Sequence, residues 1–203
     1  MKKYSKEEAI KIVTEAAKAY EKNLCGKCFL LCYEINGENH FTEVGFQAHH
    51  FGHFTGLYRN NCSSKEFYCR ALSGRLSKLD FEFDLHGNAH RTLSVLPMLP
   101  NIFSTPLLYG AFNNSGLYIS ADYFIGRTKA MISVGFRHDQ PFDIPVSLYC
   151  EDIRKLSSKA VSILVVWERE YGEKQYTYPR YCKDSVDAQE LLSEYMCASQ
   201  TKG

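Results

Sequence analysis

The segment Ala48–Asn60, A-H-H-F-G-H-F-T-G-L-Y-R-N, concentrates the reactive chemistry of this chain: His49, His50 and His53 fall within five positions, followed by Tyr58 and Arg59. Imidazole titrates near neutral pH, so such a cluster can exchange protons, ligate a metal, or hold phosphate when charged. On an α-helix His49 and His53 share one face, with His50, Phe54 and Leu57 on another. Two histidines so placed can chelate a metal, but zinc-protease chemistry needs glutamate directly after the first, and position 50 is histidine. A metal site would need further ligands. His86 and His90 are candidates, yet nothing in the sequence brings them close, and no cofactor is expected.

The other chemistry open to these residues is metal-free acid–base work on a phosphodiester. Cleaving RNA through its own ribose hydroxyl takes a base, an acid for the leaving oxygen, and fixed cations where charge builds on phosphorus. Histidine suits the proton transfers, and arginine suits the oxygens because its planar fork donates two bonds at once. The candidates are His53 with Arg59 or Arg75, and Arg127 with Lys129 at the start of a strand. Each has a plainer alternative. A histidine beside Phe51 and Phe54 is often half-buried and bonded to a backbone carbonyl. Arg70, Arg75 and Lys78 are spaced as a solvated helix face. Asp122-Tyr123 and Pro145–Tyr149 read as strand-end structure. Tyr118, Tyr123, Tyr176 and Tyr178 could stack bases, although tyrosines are also common in plain sheets.

The elements that must position these residues are legible in part. Ser5 and Glu8 form a capping box for a helix over Ser5–Lys22, with Ile10, Val13, Ala17 and Tyr20 at helical spacing. Lys27–Ile35 and Asn39–Phe46 read as a hairpin turned at Asn36-Gly37. The histidine segment reads as a short helix closed near Gly56. Ser63 and Glu66 open another helix to about Leu76, and a third covers Ala89–Leu96, ended by Pro97 and Pro100. The second half turns to strands: Leu107–Phe112, a turn at Asn113–Gly116, Leu117–Ile125, Thr128–Phe136, and a pair Val161–Glu168 and Gln175–Tyr178 joined around Gly172. Asp184 caps a last helix through Met196, with Leu191, Leu192 and Tyr195 inward. Helices early and antiparallel strands late predict an α+β fold, organised as one domain.

The 203 residues suffice for a substantial core, and the 14% aromatic content favours sheet. The net charge of +1 argues mildly against non-specific nucleic-acid binding. The charge is uneven, however: His53–Lys78 carries Arg59, Lys65, Arg70, Arg75 and Lys78 against the single Glu66, while the stretch after Tyr181 is mostly acidic. No apolar run reaches membrane-spanning length and the first residues lack a signal-peptide core, so a cytoplasmic location and no membrane association are expected. The eight cysteines are then mostly free thiols. Cys25, Cys28 and Cys32 resemble half of a zinc site with no second pair, which favours buried thiols on a strand.

With these residues in view, the chain resembles the phage-associated barnase/EndoU/colicin/RelE-like nuclease group, in its fourth subfamily. Phe46–Leu57, F-Q-A-H-H-F-G-H-F-T-G-L, is similar to that group's aromatic-His-Leu-x-Gly-Leu signature, with Phe54 where the signature has leucine. Phe67–Leu76, Ile119–Phe124 and Ile144–Leu156 follow in the same order, so the resemblance spans about Phe29 to Tyr178. It implies helices followed by a curved antiparallel sheet whose face holds a metal-independent ribonuclease site, in a protein of phage or mobile-element origin. It also implies toxin-like action on RNA and a neutralising antitoxin or immunity protein. Carried over by position, His53 matches the signature histidine and Ser147 the polar residue after the proline. Arg127 lies just beyond the Asp-Tyr segment, where a phosphate-binding cation is useful.

The leading expectation is therefore acid–base cleavage of RNA with His53 as general acid or base, Arg75 and Arg127 as phosphate clamps, and Ser147 as hydrogen-bonding partner. His49, His50, Tyr58, Arg59 and Lys129 would contact substrate. It requires His53, Arg75 and Arg127 to converge. The alternatives are a catalytically inactive nucleic-acid- or protein-binding domain of the same fold, and a metal-dependent hydrolase using His49 and His53.

Overall fold

The Ser5 hydroxyl accepts the Glu8 N–H (3.2 Å) and the Glu8 carboxylate accepts the Ser5 N–H (2.8 Å), the reciprocal cap expected from the sequence. From it runs helix α1, Lys6–Asn23, burying Ala9, Val13, Ala16, Ala17 and Tyr20. The structure, a computed structural model, describes residues 2–113 and 121–200. Strands β1 (Lys27–Ile35) and β2 (Glu38–Phe46) pair antiparallel, turned at Asn36 and Gly37, which both hold positive φ (56° and 85°). That is the backbone an Asn-Gly hairpin requires.

A 3-10 helix follows over Ala48–Thr55, then β3 (Tyr58–Arg59), α2 (Ser64–Leu72), β4 (Phe81–Glu82) and α3 (Asn88–Val95). A kinked 3-10 stretch, Leu96–Ser104, leads into the second half. There the elements are β5 (Leu108–Phe112), β6 (Tyr123–Arg127), β7 (Ile132–Arg137), β8 (Ile144–Tyr149), the single turn α4 (Ile153–Leu156), β9 (Ser157–Glu170), β10 (Pro179–Cys182) and α5 (Ala188–Gln200).

Eight strands form one sheet in the order β2-β1-β9-β5-β6-β7-β8, with β10 also paired to β9 and every named pairing antiparallel. The 14-residue β9 is the spine: β1 covers one edge, while β5 and then β10 share the other. The sheet curls until its two end strands meet. Asp143, just before β8, donates its N–H to the Glu43 carbonyl and accepts the Gly45 N–H, both at 3.0 Å. Its carboxylate, pointing inward, accepts the hydroxyl of fully buried Tyr123 (2.8 Å), and the same oxygen lies 3.1 Å from Nδ1 of His138.

Inside the curl, α1 and the 3-10 segments pack Phe51, Phe54 and Phe103 against Phe29, Leu31, Phe46, Val134 and Phe136. Next to these, Tyr33 stacks on Tyr109 (3.9 Å between centroids) and Tyr123 on Phe136 (5.4 Å). On the outer face, Leu191 and Leu192 of α5 cover Leu30, Cys32, Val165 and Trp167, with Tyr195 alongside. Cys28 and Cys32 are buried on β1, where desolvation pushes their thiols up to about 11 and about 12; half-buried Cys25 is likewise raised to about 11. The mixed α+β class and the buried thiols agree with expectation.

Several boundaries differ. Helix α2 stops at Leu72 because Gly74 takes a left-handed φ of 70° and the Arg75 N–H folds back to the Arg70 carbonyl (2.8 Å). Strand β7 starts at Ile132, since Thr128–Met131 is a turn with Met131 at φ 47°. Pro145–Tyr149 forms the body of β8. The partner of β9 is Pro179–Cys182 instead of Gln175–Tyr178. The last helix starts at Ala188, where Asp187 accepts the N–H groups of Gln189 (2.8 Å) and Glu190 (3.2 Å). Residues 114–116 of the expected turn, and the expected strand start at Leu117 with Tyr118, lie outside the described residues.

If Asp143 secures the sheet closure, Asp143→Ala strands the buried Tyr123 hydroxyl and costs about 1–3 kcal/mol. Asp143→Asn, which keeps an acceptor, should cost less. Urea denaturation of the two variants would test this; equal losses would contradict it.

Candidate active site

The histidine segment is fixed from below by aromatic packing. Phe51 and Phe54 are fully buried, with ring centroids 5.2 and 6.0 Å from Tyr20 of α1, and the Tyr20 hydroxyl donates to the Gln47 carbonyl (2.9 Å). The segment is a 3-10 helix, with about three residues per turn, so the helical alignment of His49 with His53 does not apply. Gly56 ends it at φ 66°, where a Cβ would approach the Ala89 Cα to 3.1 Å. Gly52 permits close approach to α2: a Cβ there would meet Ser64 Oγ at 2.4 Å and Arg59 Nη1 at 3.0 Å. The same Ser64 hydroxyl donates to the His49 carbonyl.

The opposite wall comes from the end of β7 and from β8. His49, His50, His53, Arg137, Ser147 and Tyr149 line one cleft of about 400 Å³. His50 is buried and its Nδ1 accepts the Gln47 N–H (3.1 Å), which leaves its ring hydrogen on Nε2. Burial, reinforced by the neighbouring His49 and His53, depresses its pKa to about 4. The ring of His49 meets that of His50 edge-on at 4.1 Å. His53 is exposed at the cleft, yet its proton affinity is also lowered, first by desolvation of the ring, then by the charge of Arg59 and by His49. The Ser147 hydroxyl and Arg59 Nε are buried without a hydrogen-bond partner among the described residues.

The structure thus brings His53, Ser147, His49 and His50 together, with Arg59 acting on His53 from beside Gly52. It does not bring Arg75 or Arg127 to them. Arg75 is exposed beyond α2 and donates to Ser73 Oγ (3.0 Å). Arg127 donates to the carbonyls of Asn101 (3.1 Å) and Ile102 (2.6 Å), and with Lys129 it lines a different cavity. Tyr58 is 65% exposed on β3 and does not line the cleft. The basic stretch is partly neutralised, Arg70 by Asp80 (2.5 Å) and Lys78 by Glu7. Tyr123 and Tyr176 are too buried to stack a base, whereas Tyr178 is exposed. His90 accepts the Tyr4 N–H (3.1 Å) and stacks on Phe83, so it is committed elsewhere. Among the described residues no group of three or more His, Cys, Asp or Glu gathers as metal ligands would.

Arg137 is the cleft residue that sequence reasoning missed. It ends an apolar strand and belongs to no local motif; only the β7–β8 pairing, Arg137 opposite Ile144, puts it at the cleft.

Comparison with known proteins gives one family. The family described as phage-Barnase-EndoU-ColicinE5/D-RelE like nuclease4 matches residues 12–185, most of the chain. No curated protein and no solved structure matches. Among the described residues no helix is long and apolar enough to cross a membrane.

Two outcomes follow from the packing of the histidine segment. Below the usual histidine value of 6.5 the unfolded chain takes up a proton that His50 refuses until about pH 4. Stability should therefore fall as pH drops from 6.5 to 4, by up to about 3 kcal/mol, and His50 should add no further loss below that. Denaturation midpoints across this range should flatten in His50→Gln; an unchanged slope would contradict the assignment. Gly52→Ala should displace the Ser64 hydroxyl and cost about 1–3 kcal/mol, readable as a drop in melting temperature.

Proposed function

Because the chain belongs to this nuclease family, we propose that the histidine cleft cleaves RNA phosphodiesters by metal-independent acid–base chemistry. The observation that carries the reading is the convergence of His53 with Arg137 and with the buried, partnerless hydroxyl of Ser147, more than ninety positions away in sequence. The Ser147 hydroxyl is closed off over Gly135, and a side-chain rotation would bring it to a substrate oxygen.

His53, held mainly unprotonated at neutral pH by desolvation of its ring and by Arg59, accepts the proton of a ribose 2′-hydroxyl. The 2′-oxygen bonds to phosphorus, the bond to the 5′-oxygen breaks, and His49 supplies the proton that oxygen takes. Arg137 donates to the non-bridging oxygens as charge builds, Arg59 adds positive charge beside His53, and Ser147 contributes a further hydrogen bond. His50 stays neutral and holds the segment's backbone. This reading makes RNA the substrate, places the action in the cytoplasm, and calls for a neutralising antitoxin or immunity protein.

The test is RNA cleavage by purified protein in excess EDTA. Activity should survive, fall by about 10²–10⁴-fold in His53→Ala and by about 10²-fold in Ser147→Ala. Because the base must be unprotonated, the acid limb of the kcat/KM profile should have its midpoint below 6.5. Cleavage abolished by EDTA, or unchanged in His53→Ala, would refute the mechanism. RNA bound but never cut would favour a binding-only domain.

A further inference from the structure

A second cavity, of about 770 Å³, lies where β9 changes partner. β5 pairs with β9 as far as Ser162, and β10 pairs with it only from Val165. At the handover the Ile163 N–H bonds to the Leu107 carbonyl (3.0 Å) and the Lys183 N–H to the Leu164 carbonyl (2.8 Å), so the two neighbours diverge and leave a notch between them. Leu107, Ile163 and Ala130 contribute apolar surface, and Tyr181 is part of the lining. None of its lining residues is shared with the histidine cleft.

The charge of this notch is one-sided. Elsewhere many basic side chains are neutralised: Lys27 by Glu168 (3.3 Å), Arg169 by Glu43 (2.6 Å), Arg154 by Asp152 (2.6 Å), and Arg180 by Glu168. In the notch Arg127, Lys129 and Lys183 face a single carboxylate, Asp184. Neither lysine has an ion-pair partner among the described residues. Arg127 is held in place by the carbonyls of Asn101 and Ile102, and its Nε is buried without a hydrogen-bond partner. A fixed guanidinium flanked by two flexible ammonium groups suits phosphate oxygens. The adjoining apolar surface and tyrosine suit a sugar and a base. The volume lies in the range of about 300–1,000 Å³ usual for small-molecule sites.

We propose that this notch is a nucleoside-phosphate site, distinct from the histidine cleft and independent of cleavage there. Lys129, Lys183 and Arg127 take the phosphate, and the nucleoside lies along the apolar surface beside Tyr181. A free nucleotide and the phosphorylated end of a strand share this chemistry.

Fluorescence titrations with a methylanthraniloyl-labelled ADP and with a short 5′-phosphorylated RNA, labelled at its 3′ end, separate the two sources. His53→Ala protein keeps the RNA intact. Binding of either probe should weaken with added salt and fall at least about tenfold in Lys129→Ala/Lys183→Ala, while Lys129→Arg/Lys183→Arg should retain it. Both probes binding assigns a site open to free nucleotides; the RNA alone assigns a strand-end site. No binding of either probe, equal binding by the alanine variant, or binding of poly-glutamate in place of both phosphate probes would overturn the proposal. Cleavage by the wild-type protein is read separately. Phosphate binding at the notch by a protein that cuts no RNA would sink the nuclease reading and leave this one standing.

Discussion

Two backbone hydrogen bonds, from Gly45 to Asp143 and from Asp143 to Glu43, hold the ends of the curled sheet together, and the histidine cleft depends on them. Strand β2 runs directly into the histidine segment, and β8 starts one residue after Asp143. Joining the two strands sets His49 and His53 opposite Arg137 and Ser147. Individually such bonds contribute little net stability. They are secured because the Asp143 side chain also anchors buried Tyr123 and His138, tying the closure to the stacked rings inside the curl.

The histidine segment divides its residues between two tasks. Phe51 and Phe54 sink into the core beside Tyr20 and fix the backbone; the imidazoles between them are left for chemistry or for backbone support. Burial decides which. The interior His50 stays neutral down to about pH 4 and becomes a backbone acceptor, while His53 sits at the cleft with its proton affinity also lowered. A catalytic base working near neutral pH needs that intermediate position. The charge distribution is similarly local. Within the apparent basic stretch, ion pairs neutralise Arg70 and Lys78, while the cleft and the notch each gather basic side chains against few carboxylates.

What could be read from the sequence was what neighbouring residues decide among themselves. The capping boxes at Ser5 and Ser63 and the Asn36-Gly37 hairpin are local energetic choices, and all three form as expected. Gly74 ended α2 early because a left-handed stop outweighs a continuing apolar pattern. The length of β9 and its second partner were hidden, since the handover from β5 to β10 is set by strands far away in the chain. The site was legible only in pieces. His53 stood out among the clustered imidazoles and Ser147 only through the family resemblance, and spacing gave no hint that they meet. Helical spacing suggested a shared face for His49 and His53, but the segment forms a tighter 3-10 helix. Arg75 and Arg127 had the right side chain in places the fold does not bring to the cleft, whereas Arg137, at the cleft, had no local signal.

The most direct test of the central claim is the chemistry of the cut ends. Mass spectrometry of products from a defined RNA, compared with the same strand carrying a single 2′-deoxy substitution at the cut position, reads which oxygen attacks phosphorus. Attack by the ribose hydroxyl under His53 predicts a 2′,3′-cyclic phosphate, a free 5′-hydroxyl, and no cleavage at the deoxy position. A 5′-phosphate product, or undiminished cutting of the substituted strand, would contradict the account.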